Sequence, residues 1–221
     1  MKLICFALRE EASALAPEVW SWSKIKILFT GIGRQNAENS VRAFLTEKSG
    51  KANGPTKLVL TCGFAGGLNP DLKLGDVLFE LSDSEFRTPN SNPQERLLAA
   101  GAKPAEFFCA DHIATTAAEK KKLRAETGAD AVEMESAAIH GVCREHGIPC
   151  VTVRVISDTA KEDLPLDFNR LTKPDQSLDY GKLFLALAKS PGKIGALRKF
   201  QKKTGFAAEQ LATVLAKITF P

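Results

Sequence analysis

The chain is poor in the features that would declare a metal centre, a disulfide scaffold or a membrane anchor. Its five cysteines (Cys5, Cys62, Cys109, Cys143, Cys150) are odd in number and include no CxxC pair. That argues against a disulfide framework or a zinc knuckle and fits a reducing compartment, so a cytoplasmic protein is expected. The histidines His112, His140 and His146 show no HxxxH spacing, and no metal or cofactor is expected. The N-terminal apolar run of six residues ends at Arg9-Glu10-Glu11, too short for a signal-peptide core or a bilayer span. Thirty basic residues against 26 acidic ones leave +4, too small an excess to indicate nucleic-acid binding. No GxSxG elbow is present, and Gly31-Ile32-Gly33 lacks the third glycine of a dinucleotide fingerprint.

What is present is ordinary globular material: 221 residues, 44% hydrophobic and 25% charged, enough for a core without covalent staples. Strands are predicted at Lys2–Ala7, Lys24–Thr30, Lys57–Cys62, Asp76–Leu81, Glu106–Ala110 and Pro149–Ile156. Several are nearly continuous apolar runs, the pattern of strands buried on both faces. Helical patterns fall at Arg34–Lys48, Thr116–Glu126 and Glu135–His146, the last with Met134, Ala137, Ala138, Gly141 and Val142 at helical spacing. Alternating strands and helices predict an α/β protein, with helices on both faces of a largely parallel sheet. Ser82–Pro104 reads as one long connection. We expect a single domain over residues 1–221, with a basic helical C-terminal segment from about residue 161. Seven basic residues and no acid lie between Lys182 and Lys203 (Lys182, Lys189, Lys193, Arg198, Lys199, Lys202, Lys203), read as a solvated helical face. An anion- or membrane-surface patch is the alternative.

Ligands of open α/β sheets bind beyond the carboxyl ends of the strands. There the chain carries Arg9-Glu10-Glu11, Gly31-Ile32-Gly33-Arg34, the run Gly63–Gly67, and Ser157-Asp158; Glu133-Met134-Glu135 precedes a helix. Singly, each has a plain structural reading. The acids could be helix-dipole partners, the glycines turn residues, Ser157-Asp158 an N-cap, and Cys62 and Cys143 buried hydrophobes. Together they indicate a small-molecule enzyme with acid/base carboxylates.

Three motifs carry a resemblance. TCGFAGGLNPDLKLGDVL (Thr61–Leu78), VEMESAAIHGVC (Val132–Cys143) and PCVTVRVISDTA (Pro149–Ala160) resemble the nucleoside phosphorylase/nucleosidase superfamily. Within it they are most similar to methylthioadenosine/S-adenosylhomocysteine nucleosidases. Met1–Leu15 resembles the family's opening strand and acid cluster, and TGIGRQNAENS its second strand and glycine turn. The resemblance implies a three-layer α/β/α fold with a mixed, largely parallel sheet. It also implies cleavage of the N-glycosidic bond of a purine nucleoside. By motif, Asp158 would be the acid that protonates N7 and Glu11 would activate the attacking water. Glu135 would bind the ribose hydroxyls with Met134 packed on the sugar, and Glu133 belongs to the same motif. Gly33 and Arg34 fall in the glycine turn, Ile113 at the base-stacking position, and Phe64 where the family commonly has a small residue.

Phosphorylases of the superfamily usually carry an arginine and a serine flanking the third-strand glycine; here those positions are Thr61 and Phe64. Losing both grips on phosphate favours hydrolysis, although Arg9 and Arg34 on neighbouring loops could rebuild an anion site. Phosphorolysis is therefore the nearest alternative, with phosphate as a second small-molecule partner. A non-catalytic nucleoside-binding protein is the third reading. The resemblance also implies a homo-oligomer, a dimer or larger.

Overall fold

The computed structural model describes residues 1–16, 24–48, 55–81, 93–171 and 192–219. Eight strands form one mixed sheet. In chain order they are β1 (Lys2–Phe6), β2 (Ile25–Phe29), β3 (Leu58–Gly67), β4 (Val77–Leu81), β5 (Lys103–Pro104), β6 (Phe107–Cys109), β7 (Ala131–Glu133) and β8 (Cys150–Asp158). The main path runs β2-β1-β3-β8-β4-β5, and β7 joins the far end of β3 with β6 at its side. Strands β2, β1, β3 and β8 are parallel, while β4 runs antiparallel to β8 and β7 antiparallel to β3.

Side-chain alternation sorts the strands into two cores. Leu3 and Cys5 of β1 face Ala37, Val41 and Leu45 of α1 (Arg34–Lys48) and Ile139, Val142 and Cys143 of α4 (Ser136–Glu145). Ile4 and Phe6 face the opposite way, with Val151, Val153 and Val155 of β8, onto Leu97 of α2 (Pro93–Ala100) and the C-terminal helix Lys193–Thr219. That helix buries Ala207, Leu211, Val214, Leu215 and Ile218 at spacings of three and four. Each fully buried valine or leucine contributes about 1.5–3 kcal/mol, so both layers are needed to hold the sheet. All nine residues of β8 are buried, as a central strand covered on both faces requires.

Several boundaries differ from the sequence reading. Gly63–Gly67 and Ser157-Asp158 are not turn residues: β3 extends to Gly67 and β8 to Asp158, paired with a register shift between Ala65 and Gly66. A glycine run looks like a turn, but here it is strand stripped of side chains where carboxylates approach. The connection Ser82–Pro104 contains α2 and β5, and residues 82–92 lie outside those described. The apolar face of α4 is also rotated from the predicted one. Ser136, Ile139, Val142 and Cys143 are buried, whereas Ala137 is exposed and Met134 precedes the helix. Arg198, Lys199 and Lys202 are exposed, as a solvated face demands; Lys182 and Lys189 lie outside the described residues. Among the described residues no helix is long and apolar enough to cross a membrane.

Candidate active site

A cavity of about 860 Å³ opens over the carboxyl ends of β1, β2, β3 and β8. It falls within the usual size range of small-molecule pockets. Glu11, Glu133, Met134, Glu135, Asp158, Phe64 and Ile113 all line it, drawn from positions far apart in the chain.

Glu11 follows β1 in a 3-10 turn, Glu10–Ala12, and its side chain reaches Gly63 and Phe64 of β3. The Leu8 N–H donates to its Oε2 and the Phe64 N–H to its Oε1, both at 2.9 Å. Burial pushes its carboxyl above the usual range, opposed by the nearby Arg154 guanidinium and those N–H groups. Gly63 makes this approach physically available. A Cβ there would stand 2.4 Å from Glu11 Oε1 and 2.5 Å from Arg154 Nη1.

The Glu133-Met134-Glu135 segment divides its two acids between two tasks. Glu133 accepts from the N–H groups of Glu135 (2.9 Å) and Ser136 (2.8 Å) and from Ser136 Oγ (2.6 Å). It therefore satisfies the first turn of α4 and meets Arg154 Nη2 at 2.6 Å. Glu135 is thereby released from capping. Its Oε1 accepts from the Gly33 N–H at 2.8 Å and its Oε2 from Arg154 Nη2 at 3.2 Å. Desolvation pushes the Glu135 carboxyl up to about 7; Arg154 opposes the rise, and Glu133 and Glu11 add to it. Glu133 sits below its usual range because, against its own desolvation, Arg154 and the Ser136 hydrogen bonds favour the charge.

Arg154 is one residue that sequence reasoning missed. It is 1% exposed, in the middle of β8, and also donates to Thr61 Oγ1 at 3.3 Å. Its Nε has no hydrogen-bond partner. One buried guanidinium thus stands among three buried glutamates, and the cluster carries excess negative charge when all are ionised. A lone arginine inside the largely apolar run Pro149–Ile156 was the only signal for it.

Asp158 ends β8, 7% exposed, its Oδ1 accepting from Ser157 Oγ at 2.8 Å. Ile113 is locked in place by reciprocal hydrogen bonds with Asn169, each 2.9 Å. Aromatic rings do line the cavity: the predicted Phe64, and from unexpected places Phe29, Phe168 and Phe200, the last two with centroids 5.7 Å apart. Phe200 comes from the helix read as a solvated basic face, and nothing in the sequence pointed to it.

Two predicted residues sit elsewhere. Gly33 contributes its N–H to Glu135 and does not line the cavity. Arg34 is half-exposed, paired with Asp111 at 3.4 Å and bonded to the Cys109 carbonyl at 3.2 Å. Arg9 lines the mouth with its guanidinium 4.8 Å from the Phe29 ring centroid.

An open, mostly parallel sheet with a carboxylate cluster over its strand ends defines the class: a nucleoside phosphorylase-type α/β/α protein. The chain superimposes on futalosine hydrolase of Helicobacter pylori strain 26695 with a TM-score of 0.67 at 20% identity, covering 99% of this chain and 96% of that one. Residues 106–187 match the sequence profile of the phosphorylase superfamily. The chain is 29% identical over 178 residues to an aminodeoxyfutalosine nucleosidase of Campylobacter jejuni, 66% of this chain and 72% of the relative. To a 5′-methylthioadenosine/S-adenosylhomocysteine nucleosidase of Shewanella halifaxensis it is 26% identical over 144 residues, 51% of this chain and 61% of the relative.

Proposed function

We propose that the protein hydrolyses the N-glycosidic bond of an adenosine-type purine nucleoside, releasing the free base and the sugar. The observation that carries this reading is the convergence of Glu11, Glu135 and Asp158 on one cavity, each held by hydrogen bonds from the protein. In the proposed reaction the C1′–N9 bond breaks and its electron pair passes into the base. Asp158 gives a proton to N7, so the base leaves neutral. Water attacks C1′ and loses a proton to Glu11, whose proton affinity burial raises. Glu135 accepts hydrogen bonds from the 2′ and 3′ hydroxyls, and Met134 packs against the sugar. Glu133 serves through Arg154 and the α4 terminus, because both its oxygens are already engaged by protein donors.

Phosphorolysis finds little support in the residues present. Thr61 is buried and its hydroxyl meets Arg154, while Arg34 is paired with Asp111. Glu10, Glu11, Glu133, Glu135 and Asp158 line the cavity, against Arg9 as its one lysine or arginine among the described residues. A phosphate dianion entering there would lose hydration with few cations in return. The test is to supply 5′-methylthioadenosine and related adenosyl compounds with phosphate over a wide range and to identify the sugar. Free sugar at every concentration is expected; accumulation of a sugar 1-phosphate would transfer the assignment to a phosphorylase.

The proposal includes a cytoplasmic setting, supported by an odd number of cysteines with no CxxC pair. It also includes a homo-oligomer, which rests on family resemblance and is tested by light scattering at working concentration.

A further inference from the structure

Asp158 has a partner that the roles above leave unused. Lys120 is the fourth residue of α3 (Ala117–Thr127), and its side chain is fully buried. Desolvation opposes a cation there, and so does the dipole near a helix N-terminus. Its ammonium has three hydrogens and finds three acceptors: Asp158 Oδ2, the Thr159 carbonyl at 3.0 Å and the Glu162 carbonyl at 2.9 Å. The neighbouring carboxylates are occupied elsewhere. Glu162 binds Lys203 and the Thr159 N–H (3.2 Å), and Asp163 accepts from the Ala117 N–H at 2.7 Å. Gly66 leaves the space open, since a Cβ there would stand 3.3 Å from Asp158 Oδ2 and 3.8 Å from Lys120 Cε.

We propose that Lys120 is the positioning residue of leaving-group protonation. It fixes the Asp158 carboxyl at the cavity wall and supplies the counter-charge for the carboxylate that proton transfer creates. The inference rests on the reading of Asp158 as the acid. As the Asp158 O–H bond breaks, N7–H forms and the C1′–N9 electron pair moves into the base. The new carboxylate then faces the Lys120 ammonium, and the proton that Glu11 took from the attacking water returns through solvent to Asp158, restoring both carboxyl groups. A salt bridge with only a structural role would serve every substrate alike. Acting through Asp158, Lys120 serves only leaving groups that need a proton.

That difference sets the experiment. Wild type, K120M, K120R and D158N are assayed on 5′-methylthioadenosine and on p-nitrophenyl β-ribofuranoside, whose phenolate departs unprotonated. For K120M, kcat on the nucleoside should fall about 10²-fold, within the range that a positioned proton donor contributes. KM on the nucleoside, and kcat on the nitrophenyl riboside, should stay within about threefold. K120R, which keeps the charge, should recover most of the lost kcat. Equal losses on both substrates, or undiminished nucleoside turnover in K120M, would overturn the proposal. If D158N itself lost activity equally on both, the role of Asp158 as acid would fall instead. Should K120M not fold, K120Q takes its place with the same expected selectivity.

Discussion

Replacing Gly63 by alanine perturbs the site at its narrowest point. The added Cβ would lie 2.4 Å from Glu11 Oε1, 2.8 Å from Glu11 Cδ and 2.5 Å from Arg154 Nη1, in a backbone with φ of +153°. An ordinary contact needs about 3.4 Å, so the carboxylate and guanidinium must retreat by about 1 Å. Glu11 cannot move so far and keep both 2.9 Å bonds to Leu8 and Phe64. A 1 Å misplacement of a positioning group lowers turnover by about 10²-fold. Overpacking of this kind destabilises by about 1–3 kcal/mol. The control is Gly75→Ala, whose Cβ would stand 2.6 Å from Phe206 Cε1, away from the cavity, at φ +85°. Both variants should melt below wild type, and only Gly63→Ala should lose base release in a steady-state assay on 5′-methylthioadenosine. Gly63→Ala turnover within about threefold of wild type would refute the close-approach argument.

Arg154→Gln should destabilise by about 3–5 kcal/mol at neutral pH, read by denaturant unfolding, because it leaves buried glutamates without their cation. The loss should shrink in mild acid, where those carboxyls take up protons. Glu135→Gln should weaken discrimination between ribosides and 2′-deoxyribosides, measured as the ratio of kcat/KM values; an unchanged ratio removes Glu135 from sugar recognition. The same variant tests linkage. A carboxyl raised to about 7 in the folded protein holds its proton more tightly than in the unfolded chain, so its contribution to stability is greatest below the ordinary carboxylate range and is lost as pH rises through about 7. Glu135→Gln should flatten that decline between about pH 4.5 and 7, by on the order of 2 kcal/mol, in unfolding curves taken across the range.

The elements legible beforehand were those whose sequence pattern and burial agree. Helix α1 spans Arg34–Lys48 as predicted, and β1 and β2 lie within the predicted runs. Strand β7 escaped because three residues, Ala131–Glu133, are too few to show a period. The two buried cations escaped for a different reason: charge ordinarily signals surface. Lys120 stands in Glu119-Lys120-Lys121-Lys122, where one lysine turned inward is indistinguishable from its solvated neighbours. Glu11, Glu135 and Asp158 were nominated by their places at strand ends and before a helix, but only motif resemblance gave them roles, since position alone left each an alternative as a capping or dipole residue. Glu133 and Glu135 both line the cavity, and the structure separates those alternatives by giving the capping of α4 to Glu133 and leaving the Glu135 carboxylate to the Gly33 N–H and Arg154.

The cavity wall is shared between residues near Ala7 and residues as late as Thr204, with the C-terminal helix lying against the turn that bears Glu11. A nascent chain emerging from the ribosome could therefore complete most of its sheet and still hold no enclosed pocket. Contacts of such long sequence separation form late and slowly. Base-releasing activity should accordingly appear only once the final helix has docked, making that docking step a quality check on synthesis: a prematurely terminated product would retain its acids and lack the wall that shields them from water.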